Sequence, residues 1–175
     1  MKKPIALFSL IVLLIFACKD KDELLTFKLS VSEEFTVPAF QYVVDTVLTV
    51  NVNDIPTNSD KLFKDNGTSS DFVKDIKLSA MSITIVSPTS QNLDFLKTIS
   101  IYISADGLSE ILLASKTTVP TGITTLDLDV SGEAMDDYIK GDFIDLKVET
   151  GADETLPQDT ELKTDMEFSI TANPL

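Results

Sequence analysis

Histidine, arginine and tryptophan are absent from this chain, and cysteine occurs once, at Cys18. Without histidine there is no Ser-His-Asp triad, no Cys-His pair and no imidazole metal ligand. A single cysteine excludes an internal disulfide and a cysteine-rich zinc site. Without arginine the chain lacks the bidentate fork that reads phosphate and guanine. The basic residues, 14 in all, are lysines, set against 28 acids for a net charge of −14. No nucleic-acid partner is expected, because neutralising phosphates supplies most of that affinity. What remains in quantity is carboxylates, hydroxyls and aliphatic side chains.

The first residues read as a targeting segment. Met1-Lys2-Lys3 is basic, and Ile5 to Ala17 is then 13 residues of almost unbroken apolar character. A membrane-spanning helix needs roughly 20 such residues. A basic start, a short apolar run and a small residue describe a secretory signal peptide over residues 1–17. Lys19, Asp20, Lys21, Asp22 and Glu23 follow, with no stop-transfer pattern.

Ile15-Phe16-Ala17-Cys18 resembles the lipobox of bacterial lipoproteins. Ile15 and Ala17 match the pattern, and Phe16 is bulkier than the usual residue there. The resemblance implies cleavage before Cys18, a diacylglycerol on its sulfur and an acyl chain, such as palmitate, on the new amino terminus. Several acyl chains together hold a protein on a bilayer where one does not. Lys21-Asp22-Glu23 is similar to the lysine-plus-two-acids signal that sends some Gram-negative lipoproteins to the cell surface. The implied location is the outer membrane, lipid-anchored and facing outward. Asp45-Thr46-Val47 resembles the O-glycosylation acceptor of the same kind of bacteria.

Cleavage before Cys18 leaves 158 of the 175 residues, removes Lys2 and Lys3 but no acid, and takes the charge from −14 to −16. That length suits one domain. Residues 18–24 read as the lipidated cysteine and its tether, and residues 25–175 as a single domain.

Within it the period is two, the strand period. Phe27, Leu29 and Val31 alternate with polar residues. So do Val44, Leu48, Val50 and Val52; Met81, Ile83 and Ile85; and Ile99, Ile101 and Ile103. Leu126, Leu128 and Val130 continue the pattern, as do Ile144, Leu146 and Val148, and Leu162 to Ala172. Glu110 to Ser115 adds a shorter strand. One face on a core and one in water is the habit of antiparallel sheets. Pro38, Pro56, Pro88, Pro120 and Pro157 fall at strand ends. Asn66-Gly67 and Asp106-Gly107 are turn dipeptides, the second closing a hairpin. Short helical turns are expected at Ser59–Phe63, capped by Ser59, and within Ser131–Lys140, with one more turn at Asn92–Leu96. Residues 54–72 read as the least ordered inner stretch.

The expected fold is all-β: an antiparallel β-sandwich of about seven to eight strands, immunoglobulin-like or a related Greek key. An up-and-down barrel is the alternative. The lack of tryptophan and of a cysteine pair excludes an antibody-type domain.

Three functional readings follow. The first is a non-enzymatic adhesion, scaffold or accessory-binding role, with protein partners met at sheet edges or loops. The second is binding of a small glycan or a calcium-dependent ligand for an uptake system. Tyr102, out of phase with Ile99, Ile101 and Ile103, is the first candidate surface contact, and Tyr138 is a second candidate ligand contact. No resident cofactor is expected. Calcium would need six to eight oxygens, from Asn51, Asn53 and Asp54 or from Asp65, Asn66 and Asp71. The third reading is a hydrolase using paired carboxylates such as Asp127 and Asp129, with Asp136 and Asp137 nearby. It ranks last, and no catalytic residue is assigned.

Overall fold

The structure, a computed structural model, describes residues 24–43 and 47–175. Cys18, Lys21, Asp22, Glu23, Asp45 and Thr46 lie outside the described residues. The strands are β1 (Leu25–Val37), β2 (Val47–Pro56), β3 (Val73–Ser87), β4 (Leu96–Ser104) and β5 (Ile111–Lys116). They continue with β6 (Thr125–Asp127), β7 (Asp129–Val130), β8 (Phe143–Ala152) and β9 (Thr160–Ala172). Two short α-helices, α1 (Ser59–Asp65) and α2 (Asp136–Ile139), and two single helical turns, Ser70–Phe72 and Leu93–Phe95, lie between the strands of the described residues.

The runs of alternating residues became strands, the run from Leu126 to Val130 splitting into two, because burying one face of each removes its aliphatic side chains from water. Two sheets result, one of four strands in the order β1-β9-β3-β6 and one of five in the order β2-β8-β4-β5-β7. Every pairing is antiparallel. The pairs β1 with β9, β2 with β8, β3 with β6 and β4 with β5 are nested, like one long hairpin. That hairpin is rolled so that its successive strand pairs alternate between two sheets, which is the jelly roll, a sandwich of two Greek keys. The expected Greek-key sandwich is therefore present, in this form. β6 and β7 are two halves of one run that changes sheets at Leu128. The Leu128 N–H donates to the Met81 carbonyl of β3 at 2.9 Å, and Ser131 N–H donates to the Leu113 carbonyl of β5 at 3.0 Å.

The core lies between the sheets. Phe95, Phe168, Ile76, Ile83, Ile101, Ile103 and Leu113 are fully buried in it. Thr150 and Thr164 point into the same interior, and neither hydroxyl has a hydrogen-bond partner among the described residues.

The departures from sequence expectation are local. Residues 54–72 are ordered, because Phe63 and Thr68 are buried and Thr68 Oγ1 donates to the Asn173 carbonyl at 2.6 Å. Asn58, with φ 54°, precedes α1 in place of the expected Ser59 cap, and no side chain caps the helix. Ser59 is instead the first helical residue, buried against Thr57, whose hydroxyl lies 3.2 Å away. The turn near Asn92 does carry a cap: the Asn92 side chain accepts from the Asp94 N–H at 3.2 Å. α2 starts only at Asp136, because Ala134 bridges to Lys77 and the Met135 N–H donates to the Ile76 carbonyl at 2.8 Å. Asp106-Gly107 closes the β4–β5 hairpin as expected, with Gly107 at φ 72°.

Candidate functional site

Four places carry enough chemistry to consider: two concavities, one outer sheet face and one sheet edge. The outer face of the four-stranded sheet holds the first. Register aligns Ser32 of β1, Asp165 of β9, Ser82 of β3 and Asp127 of β6 in one row across all four strands. The neighbouring row carries Ser30, Glu167 and Ala80. A bulge between Leu78 and Ala80 leaves Ser79 unmatched. Ser79 Oγ donates to the Glu167 carbonyl at 2.8 Å and lies 3.1 Å from its Oε1. Small side chains on β1 and β3 leave a trough of about 600 Å³, walled by Asp127 and Asp129 where the chain changes sheets.

The carboxylates here are mostly engaged. Lys163 Nζ lies 2.7 Å from Asp165, Lys28 Nζ 2.7 Å from Glu167, and Lys116 Nζ 3.0 Å from Asp129. Lys163, then the Ser32 hydroxyl, hold the Asp165 carboxyl below the usual carboxylate range. Lys28, then the Ser79 hydroxyl, do the same for Glu167. Both therefore stay ionised at neutral pH, and neither is tuned to donate a proton. Asp127 and Asp129 are both exposed, whereas a glycosidase's general acid sits in a desolvating, apolar pocket.

The second concavity lies at the sandwich end bearing the β4–β5 hairpin. It has a volume of about 560 Å³ and is lined by Asp54, Asp106, Asp137, Asp142 and Asp145 together with Phe143. Asp145 is already used, its Oδ1 accepting from the Asp54 N–H at 2.8 Å. Among the described residues no three His, Cys, Asp or Glu side chains converge as a metal site. The two calcium sets read from sequence are not gathered. Asn51, Asn53 and Asp54 run along β2 and its bulge, and Asp65 pairs with Lys61 at 2.6 Å across one turn of α1.

The third place is the outer face of the five-stranded sheet. One row there runs Asn51, Lys147, Tyr102 and Leu112. Tyr102 faces outward, as its phase requires, but Lys147 Nζ sits 4.5 Å from its ring centre. Glu110 at 2.5 Å and Glu149 at 3.1 Å hold that lysine and raise its pKa, Glu110 the more strongly. A cation therefore already occupies the ring face that a sugar would stack on. Tyr138, the other candidate contact, is buried. It is 9% exposed on α2, and its hydroxyl donates to the Ser109 carbonyl at 2.7 Å, tying the helix to the β4–β5 loop.

The fourth place is the edge of the five-stranded sheet. β2 pairs with β8 on one side and with no strand on the other among the described residues. Its stretch Val47-Leu-Thr-Val-Asn-Val-Asn53 contains no charged residue. Its inward side chains Leu48, Val50 and Val52 are only half-buried, and Val47 is 64% exposed. The periodicity identified this strand but not its position at an edge, since edge and centre have the same alternation. The missing charge was the one available sign, because exposed edges usually carry lysine or another charge.

No family model matches the chain, and no curated protein matches it. Among solved structures, the chain is similar to one from Desmodium yellow mottle tymovirus at 11% identity and a TM-score of 0.28, over 86% of this chain and 89% of that one. A second, from turnip yellow mosaic virus, shows 16% identity and a TM-score of 0.22, over 85% and 96% respectively.

Proposed function

We propose that this chain is a lipid-anchored protein of the outer-membrane surface with a non-enzymatic binding role, its jelly roll recruiting a protein partner at the β2 edge. The observation that carries the reading is the uncharged edge from Val47 to Asn53, with Leu48, Val50 and Val52 half-covered. Unpaired N–H and C=O groups along such an edge give affinity to an added strand, and the flanking side chains give selectivity. The anchor rests on Cys18 and on the Lys21-Asp22-Glu23 triplet. A photo-crosslinker placed at Asn51 in intact cells should give a discrete adduct, whereas one at Ser100, inside the same sheet, should not. Equal labelling at both would sink the edge as the binding site. Cys18→Ser should release the protein from membranes, and a variant still bound and lipid-labelled would overturn the anchor.

The trough along Asp127, Asp165 and Ser82 favours a second reading, a hydroxyl-rich ligand such as a small glycan. Its size falls within the range of small-ligand sites, roughly 300–1,000 Å³. Calorimetric titration with cell-surface oligosaccharides, repeated on Ser82→Phe to fill the trough, distinguishes the two. Binding of equal strength to both proteins would remove this reading.

A further inference from the structure

We infer that the partner at the β2 edge is a second copy of this chain, joined antiparallel across a two-fold axis through Val50. This deepens the edge-binding reading above and rests on it.

The register follows from strand geometry. In antiparallel pairing, facing residues point to the same side of the sheet, so a self-pair must match odd with odd and even with even positions. Centring on Val50 uses the whole uncharged stretch. It sets Val50 against its own counterpart and Leu48 against Val52 on the core side. On the outer side it sets Thr49 against Asn51, two hydrogen-bonding side chains, and Val47 against Asn53. The half-buried residues Leu48, Val50 and Val52 of each copy thereby cover those of the other. An isologous contact of this kind closes, so it yields a dimer and not a fibre.

Charge selects this edge over the others. The chain carries −14, so two copies repel except where the touching surfaces are neutral. β1 carries Lys28, Glu33 and Glu34, and the short strands β6 and β7 carry Asp127 and Asp129. At the β2 seam the flanking rows are complementary. Glu149 lies in register with Thr49, and Lys147 with Asn51. Self-pairing therefore puts the glutamate of one copy and the lysine of the other in the same row. Asp54, at the bulge, and Pro56 end the seam, because the ladder is irregular from Val52 to Ile55.

Two measurements test this. In intact cells, full-length Val50→Cys should form a disulfide-linked homodimer under mild oxidation, whereas Lys28→Cys on the β1 edge should not. Equal capture at both positions, or none at Val50, overturns the inference. Because Val50→Cys alters a half-buried side chain, sedimentation of the detergent-extracted full chain provides the second test. The unaltered chain should dimerise more tightly as salt rises, since salt screens its net charge. Thr49→Glu with Asn51→Glu, both on exposed positions, places like charges face to face and should weaken the dimer about tenfold or more. A monomer at every salt concentration, or a dimer that both substitutions leave intact, overturns the self-pair. A monomer whose Asn51 still crosslinks to another protein keeps the edge-binding reading while removing this one.

Discussion

β1 and β2 are both outer strands of the sandwich, one in each sheet, yet they are held in opposite ways. β1 runs against β9 without a register break from Leu25–Ala172 to Val37–Thr160. On its outer face, Lys28 pairs with Glu167 and Ser32 donates to Asp165. On its inner face, Leu29, Val31, Phe35 and Val37 are buried. β2 has a bulge, no ion pair from residues 47 to 53 among the described residues, and Ile55 as its only fully buried aliphatic side chain. Length and period are therefore poor guides to what an edge does. Charge and depth of burial separate a sealed edge from one that can take another strand.

The two edges differ most in the core beneath them. Phe35→Ala beneath β1 should cost about 3–5 kcal/mol, and Val50→Ala beneath β2 about 1 kcal/mol, since Val50 is already half in water. Urea unfolding of both variants, dilute enough to keep the chain monomeric, checks the ratio, and a larger loss at Val50 at high protein concentration is expected once a second copy covers the β2 edge. Gly151→Ala comes next. Gly151 faces Val47 at the start of β2, and an added Cβ would lie 2.7 Å from Thr98 Oγ1, the atom that accepts its N–H. A loss of about 1–2 kcal/mol is expected, and Thr98→Ala in the same chain should recover part of it.

The two unpartnered threonines give a gain in place of a loss. Thr164 lies opposite Glu33 of β1, and Thr150 opposite Leu48 of β2. Replacing either by valine removes a buried hydroxyl with no partner, and should raise stability by about 1 kcal/mol, read as a higher melting temperature. No gain at either position would mean that its hydroxyl is satisfied in solution.

The smallest effect is the response to acid. Asp165 and Glu167 have folded-state pKa values below their ordinary values of 3.8 and 4.5. The stabilisation they lend β1 is fully present above those ordinary values and declines as pH falls through the depressed ones. Hydrogen exchange at pH 3 should therefore loosen β1 relative to its state at pH 6, and Glu167→Gln should make that change shallower. In the monomer, β2, which has no such pairs, should exchange at a rate that differs only by the intrinsic pH effect.

Much of the fold was legible in the order of residues. The alternating runs from Phe27 to Ala172 form strands, and Asp106-Gly107 closes the β4–β5 hairpin. α1 and the ordering of residues 54–72 were less legible, because Phe63 and Thr68 are fixed by contacts with distant β-strands and with Asn173. The sites were legible only in part. Tyr102 shows its outward phase in the sequence. The lysine over its ring, which comes from β8, and the hydroxyl bond that ties down Tyr138 do not. The trough was invisible for the same reason: Ser32, Asp165, Ser82 and Asp127 meet only when four separate strands adopt one register.

Sequence alone determined the chemistry that is missing, the strand period, the turn dipeptides and the neutrality of residues 47–53. These are properties of single residues and of their near neighbours. Tertiary structure decided which strands became edges, which carboxylates were paired and which aromatic face was covered. Each of those depends on contacts between segments far apart in the chain, as in the pairing of residues 25–37 with residues 160–172.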